Sequence, residues 1–312
     1  MLEIRRFFQG KDEESWVRVH NAANKEYEEY RQMTVDEMRI LENAPDFTVE
    51  GRFIAELDGQ PVGTIHAYVD KRRKEKKGFI RAFGVIPEFR GRGIEEKLAK
   101  TALEELQKRG MRTAQGWAHE TRRDRVSLWE GMGFKLVRKF SLMKRNIETI
   151  QTDIGNKEVI IVPVQKDFDE DLKMLNQLDN ECFKEHFNYR PSTIEHTKFF
   201  LQKDPWFRDQ EWYFATLNNE HVGYIGVGVD KKYNNERNAS CGWVLDIGVL
   251  KALRRRGIGT RLLVHGMKVL KAKGMNTALL GVDDWNVTEA MKLYEKVGFQ
   301  VAKKDWTYEK EI

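Results

Sequence analysis

A chain of 312 residues is longer than one hydrophobic core usually supports, so two domains are expected. Hydrophobic residues at 40% and charged residues at 33% describe a globular protein with an ionised surface, and no apolar run reaches the length of a membrane span. The net charge of +5 admits a polyanionic ligand or a nucleic acid without selecting either, while two cysteines, Cys182 and Cys241, exclude a disulfide framework.

In chain order, the opening Met1-Leu2-Glu3-Ile4-Arg5-Arg6 lacks the apolar core of a secretory signal, so the cytoplasm is the expected compartment. A strand is predicted at 3–7 and an amphipathic helix at 15–30, followed by a hairpin turning at Asp58-Gly59-Gln60. The run Lys71-Arg72-Arg73-Lys74-Glu75-Lys76-Lys77 falls between two strands and reads as a solvated hairpin loop, which argues against a nucleic-acid partner. An apolar strand at 79–85 leads through an Arg/Gly loop to a helix at 94–109. A short strand and a helix ending in Gly133-Phe134 then follow. The polar stretch 148–158, with Asp153-Ile154-Gly155-Asn156-Lys157 as a turn, marks a boundary. The series then resumes: strand 159–164, helix 167–183, turn Asn218-Asn219-Glu220, strand 243–249, Arg/Gly loop, helix 258–273, and a helix ending in Gly298-Phe299.

This recurrence is visible residue by residue. Val62-Gly63-Thr64-Ile65 answers Val222-Gly223-Tyr224-Ile225. Arg90-Gly91-Arg92-Gly93-Ile94 answers Arg254-Arg255-Arg256-Gly257-Ile258, and Leu128-Trp129-Glu130-Gly131-Met132-Gly133-Phe134 answers Leu293-Tyr294-Glu295-Lys296-Val297-Gly298-Phe299. Three matches in one order, offset by about 160 residues, indicate two copies of one domain. The expected class is α/β (an α+β mixed sheet), with two tandem domains at 1–150 and 158–312. Each holds a mixed, mainly antiparallel sheet flanked by helices.

Between strand and helix, Arg254-Arg255-Arg256-Gly257-Ile258-Gly259 combines close backbone approach, helix-start amides and forked cationic donors. Those features suit a bound phosphate; taken alone they also suit a solvated glycine turn. The loop has company, however. Arg254, Gly257 and Gly259 match the Arg/Gln-x-x-Gly-x-Gly/Ala loop of the GNAT acetyltransferase superfamily. Asn286, Ala290, Leu293, Tyr294, Gly298 and Phe299 resemble its second signature. Together these cover about the last 70 residues. The tandem arrangement, with Asn180-Glu181-Cys182-Phe183-Lys184-Glu185-His186-Phe187 and Pro191, resembles the mycothiol synthase-like branch. The resemblance implies acetyl-CoA as acyl donor, held by Ile247, Val249, Arg254, Arg255, Arg256, Gly257, Ile258, Gly259, Thr260 and Asn286. It further implies a small-molecule amine gripped near Glu185 and His186.

Matched positions make the halves unequal. Gly259 faces Glu95, Tyr294 faces Trp129, Asn286 faces Thr121, and Asp246 faces Ala82. A carboxylate about 4 Å from a phosphate costs about 4 kcal/mol at an effective dielectric of 20. An indole cannot supply the proton that a phenol can. The second domain is therefore expected to be catalytic and the first degenerate. Tyr294 is the candidate acid for a leaving thiolate. Asp246, inside apolar Trp243-Val244-Leu245-Asp246-Ile247, is the candidate base, or else an aspartate bonded to a neighbouring strand. Glu185, His186, Asp283 and Asp284 are further base candidates. The seven histidines form no metal-spaced cluster, so no metal is expected. Acylation of a protein N-terminus or lysine, and a non-catalytic CoA-binding or interaction protein, remain alternatives. Oligomeric state is not legible.

Overall fold

The computed structural model describes residues 1–152, 154–286 and 288–312, so Asp153 of the expected boundary turn lies outside the described residues. Two compact units emerge: residues 1–139 with 305–312, and residues 140–304. The elements of the first half are β1 (Leu2–Arg6), α1 (Glu13–Asn24), α2 (Val35–Glu42), β2 (Arg52–Leu57), β3 (Gln60–Val69), β4 (Lys77–Val85), α3 (Ile94–Lys108), β5 (Thr113–His119), α4 (Arg123–Gly131) and β6 (Lys135–Asn146). The second half adds β7 (Ile160–Pro163), α5 (Asp169–Phe183), α6 (Ile194–Lys203), β8 (Asp209–Leu217), β9 (Glu220–Val229), α7 (Lys231–Arg237), β10 (Cys241–Val249), α8 (Ile258–Ala272), β11 (Thr277–Asp283), α9 (Ala290–Lys296) and β12 (Gln300–Glu311).

The first unit's sheet runs β1-β2-β3-β4-β5-β12 and the second's β6-β11-β10-β9-β8-β7. Within each, the strands pair antiparallel except β4 with β5 and β10 with β11, which are parallel. This is the mixed, mainly antiparallel α/β arrangement the sequence implies. The sixth strand of each sheet comes from the other half of the sequence. Residues 305–311 lie antiparallel on β5, and residues 140–146 lie antiparallel on β11.

Strand alternation gives each sheet two packed faces. On β9, Ile225 and Val227 meet the α8 side chains Leu262, Leu263, Met267 and Leu270. Tyr224, the residue before Ile225, turns to the other face, with Leu175, Leu178 and Cys182 of α5. Each buried leucine or isoleucine contributes ~1.5–3 kcal/mol of burial free energy, so the two faces fix the helices that carry the site. The hairpin turns use Asp58-Gly59 (φ 50° and 80°) and Asn218-Asn219 (φ 52° and 65°). Both pairs supply the two positive φ values that a tight right-twisted hairpin needs.

Two local differences have physical causes. Helix α1 ends at Asn24, short of the predicted residue 30, where the Tyr27 N–H closes a tighter turn on Asn24 O at 2.9 Å and Glu26 pairs with Arg90 and Arg122. Helix α7 fills the β9–β10 connection, capped by Asp230 at its start and closed by left-handed Asn238. In the basic run, Arg72 pairs with Asp46, and Arg73 pairs with Glu75 at 2.6 Å while lying over the Phe79 ring. Both arginines are therefore paired with carboxylates of the first unit.

Candidate active site

In the second unit, Cys241, Gly242 and Trp243 pair with Thr277, Ala278 and Leu279; β10 and β11 then part, leaving a wedge. A bulge at Leu245 shifts the β10 register against β9 just before Asp246. Backbone groups along a splayed edge need partners other than a strand. The Ile247 N–H finds one in the Asp246 carboxylate at 2.8 Å, and the Val249 carbonyl accepts from Arg254 Nε at 3.0 Å.

Past β10 the chain makes a 3-10 turn (Lys251–Leu253). It then adopts left-handed backbone at Arg255 (φ 63°) and Gly257 (φ 78°), where α8 begins without a side-chain cap. The amides of Ile258, Gly259 and Thr260 thus open the helix with its positive dipole end behind them, an arrangement that fits a pyrophosphate. Gly259 packs closely under Leu293: a Cβ there would come to 3.0 Å from Leu293 Cδ2. Asn156 supports the loop from the boundary segment, donating from its backbone to Gly257 O at 3.1 Å and from its side chain to Arg256 O at 3.0 Å.

The three arginines are engaged differently. Arg254 braces the loop, reaching Cys182 O at 2.9 Å in addition to Val249 O. Arg255 pairs with Glu289, while Arg256 is exposed and has no ion pair among the described residues. Asn286 caps the turn before α9, accepting from Thr288 N at 2.8 Å and Thr288 Oγ1 at 2.7 Å.

Asp246 sits beside the phenol of Tyr224, which also touches Asp179 of α5 at 2.9 Å. Burial and the charge of Asp179 push the Asp246 carboxyl up to about 8, against the opposing hydrogen bonds from Tyr224 and Ile247. Burial likewise raises Asp179. Tyr294 is buried, packs edge-on against Phe299, and has no hydrogen-bond partner for its hydroxyl among the described residues. Burial, and then the Asp246 charge, raise its pKa and so hold the phenol protonated. Cys182 is held neutral, its thiol pushed up to about 12 mainly by burial, which suits packing and not nucleophilic attack. Glu185 pairs with Lys251 at 2.6 Å, and that bond lowers its carboxyl. The His186 ring lies on Phe183 at 4.3 Å, and burial lowers its basicity. Asp283 accepts from Trp285 N at 2.9 Å, and Asp284 accepts from Ser141 Oγ at 2.6 Å. Among the described residues, no three His, Cys, Asp or Glu side chains converge to hold a metal.

The acetyltransferase (GNAT) family matches this chain twice, over residues 16–134 and 172–299. The chain belongs to that family. It is 29% identical over 216 residues to a mycothiol acetyltransferase of Thermobispora bispora, covering 69% of this chain and 70% of that protein. To another of Thermomonospora curvata it is 30% identical over 133 residues, 43% of this chain and 44% of the relative, so that match spans less than half of the relative's length. Among solved structures, a GCN5-related N-acetyltransferase from Sphaerobacter thermophilus shares the fold with a TM-score of 0.72 at 20% identity, covering 99% of this chain and 95% of that one. A tandem GNAT protein from the clavulanic acid biosynthesis pathway does so with a TM-score of 0.75 at 14% identity, covering 100% and 98%. Those two likenesses carry the fold alone.

The first GNAT unit has the same wedge, since only Lys77, Gly78 and Phe79 pair with β5. Its loop brace is also the same: Arg90 donates to Val85 O at 3.1 Å and to Ala23 O at 2.8 Å. The wedge itself is filled from within. Arg125, at the position of Ala290, lies 3.6 Å over the Phe83 ring and donates from both terminal nitrogens to Phe83 O at 3.3 Å. Phe83 corresponds to Ile247. Glu95 is half-buried and acts electrostatically on the Arg125 guanidinium, and Trp129 donates its indole proton to Trp117 O at 3.0 Å. Arg122 closes the mouth by bonding Glu26 at 2.8 Å and Tyr27 Oη at 2.9 Å.

Sequence reasoning had not singled out Asp179, Tyr224 or Arg125. The pair Thr64/Tyr224 stood inside a repeat already recognised, and a polar-capable aromatic opposite a threonine was the available signal.

Proposed function

We propose that this protein is an acetyl-CoA-dependent N-acetyltransferase acting on a primary amine of a small molecule, with its reaction centre in the unit of residues 140–304. The observation that carries this reading is the contrast between the two wedges. In the second unit the wedge faces Asp246 and an unpartnered Tyr294 hydroxyl, while in the first it is packed with Arg125. The mycothiol acetyltransferase relatives support a small-molecule acceptor. No helix among the described residues is long and apolar enough to cross a membrane, and both cysteines are free, in keeping with a cytoplasmic setting.

Acetyl-CoA supplies an acetyl group activated as a thioester. The amides of Ile258, Gly259 and Thr260, with the charges of Arg255 and Arg256, hold its pyrophosphate, while Arg254, Gly257 and Asn286 keep the loop and its neighbour in shape. Backbone groups of Ile247 to Val249 align the donor. Asp246 takes the proton of the incoming amine, and Tyr294 provides the proton for the departing sulfur. Glu185 and His186 stand on the acceptor side by family resemblance.

Calorimetric titration with acetyl-CoA of the native chain and of Gly259→Glu tests this reading. One site in the native protein, weakened about a thousandfold by a carboxylate beside the phosphates, is the expected result. Two sites would return the first unit to the binding machinery. No site in the native chain would sink the transferase reading in favour of an interaction protein.

A further inference from the structure

Asp179 on α5 and Asp246 on β10 meet across a single phenol, with Tyr224 Oη 2.9 Å from Asp179 Oδ1 and 3.0 Å from Asp246 Oδ2. A phenol has one proton to donate, so it serves one carboxylate at a time. Neither carboxyl has an ion pair among the described residues. The other groups nearby are the neutral Cys182 thiol and Glu181 from α5, the Tyr189 phenol beyond that helix, Tyr294 from α9, and Arg254, whose guanidinium is committed to Val249 O and Cys182 O. Two carboxylates this close cannot both ionise cheaply. Each remains half-buried, with part of its surface open to solvent.

The cluster is not required by the fold. The Arg90 and Arg254 braces put Ala23 and Cys182 in register, which matches Asp179 with His20, Tyr224 with Thr64, and Asp246 with Ala82. In the first unit Thr64 Oγ1 simply donates to Ala82 O at 2.9 Å, and burial keeps His20 neutral, pushed down to about 4. The same scaffold therefore stands with no acid at any of the three places. The two acids and their phenol appear only in the unit with the open wedge.

We propose that Asp179 and Asp246 share one proton across Tyr224, and that this pair receives the ammonium group of the acceptor. Asp179 is then the positioning residue that sets when Asp246 can accept the amine's proton. This deepens the transferase reading and rests on it. The ammonium nitrogen loses one proton to the Asp246 carboxylate and attacks as a neutral amine. As the C–N bond forms and the C–S bond breaks, a second proton leaves nitrogen and replaces the one Tyr294 gives to sulfur. The proton on Asp246 passes to water. A cationic primary amine is thereby favoured over an alcohol of the same shape.

Infrared difference titration of the full chain, without ligand, reads the pair directly through the carbonyl stretch of a protonated carboxyl group. The native protein should keep that band above pH 7 and lose it near pH 8, and Asp246→Asn should lack it. Asp179→Asn removes the like charge and should move the loss about one pH unit or more lower. Tyr224→Phe removes a bond to the ionised form and should move it higher. Propylammonium chloride, and not propanol, should lower the pH of the transition. A native protein without the band above pH 6, or a transition unmoved in both Asp179→Asn and Tyr224→Phe, overturns the shared proton. A transition indifferent to propylammonium overturns the ammonium-receiving role. A normal acetyl-CoA titration with no band sinks the pair alone, whereas a band without acetyl-CoA binding sinks the transferase reading.

Discussion

Tyr294 keeps a buried ring while its hydroxyl has no hydrogen-bond partner among the described residues. Its counterpart Trp129 is fully satisfied by Trp117 O. A group left unpaired in one unit and paired in the other is explained if its partner arrives with substrate. Tyr294→Phe should therefore preserve thermal stability and leave acetyl-CoA affinity within about twofold, while slowing CoA release on amine acetylation about a hundredfold or more. A full rate in that variant would remove Tyr294 from the chemistry. Tyr294, Asp246 and Gly259 are legible in sequence because the chain carries its own comparison, each having an unlike residue at the matched place. Asp179 and Tyr224 are not, since an aspartate on an amphipathic helix and a tyrosine inside an apolar strand look ordinary until α5 is laid on β9. The charge of Arg254 is legible too, but the direction of its guanidinium depends on carbonyls that only the folded chain brings near.

That direction matters for the loop as an element. Arg254 ties the end of β10 to the end of α5, and Arg90 makes the same pair of bonds in the unit whose wedge is filled. The brace is thus common to both loops, whatever their ligand. Hydrogen bonds from a charged donor contribute about 1.5–3 kcal/mol each. Arg254→Ala should lower the melting temperature of the second unit by about 5–10 °C. Arg254→Lys should rescue little of it, because an ammonium lacks the planar fork that spans two carbonyls. Melting that Lys restores in full would make Arg254 a point charge for phosphate and not a brace. Most elements of this kind are readable from periodicity and turn chemistry, as the two hairpins and helices α3, α5 and α8 show. The partners of the last strands are not. β6 and β12 both follow a Gly-Phe pair with similar alternation, so exchanging them between sheets keeps every side chain on an acceptable face, and no local pattern distinguishes the two pairings.

The exchange has a consequence for the molecule as a whole, because the first unit is completed only by the final residues of the chain. Residues 305–311 cover the edge of β5 along its length. Glu309 there accepts from Lys77 at 2.6 Å and from Gln115 at 2.7 Å, and Lys310 donates to Met132 O at 2.6 Å. Tyr308, 1% exposed, lies in the first unit's core with Ala114, Ala118, Trp129 and Phe134. Truncating a buried aromatic of this size costs about 3–5 kcal/mol, a large share of a domain's net stability. Tyr308→Ala should therefore strip hydrogen-exchange protection from β4, β5 and α3, all more than 180 residues away in sequence. The amides of β9, β10 and α8 should keep their protection, and acetyl-CoA should still bind, since residues 140–304 form their own core. Equal loss of protection in both sets would mean that the two units open as one cooperative body, and the division of labour between an open and a filled wedge would then have no counterpart in stability.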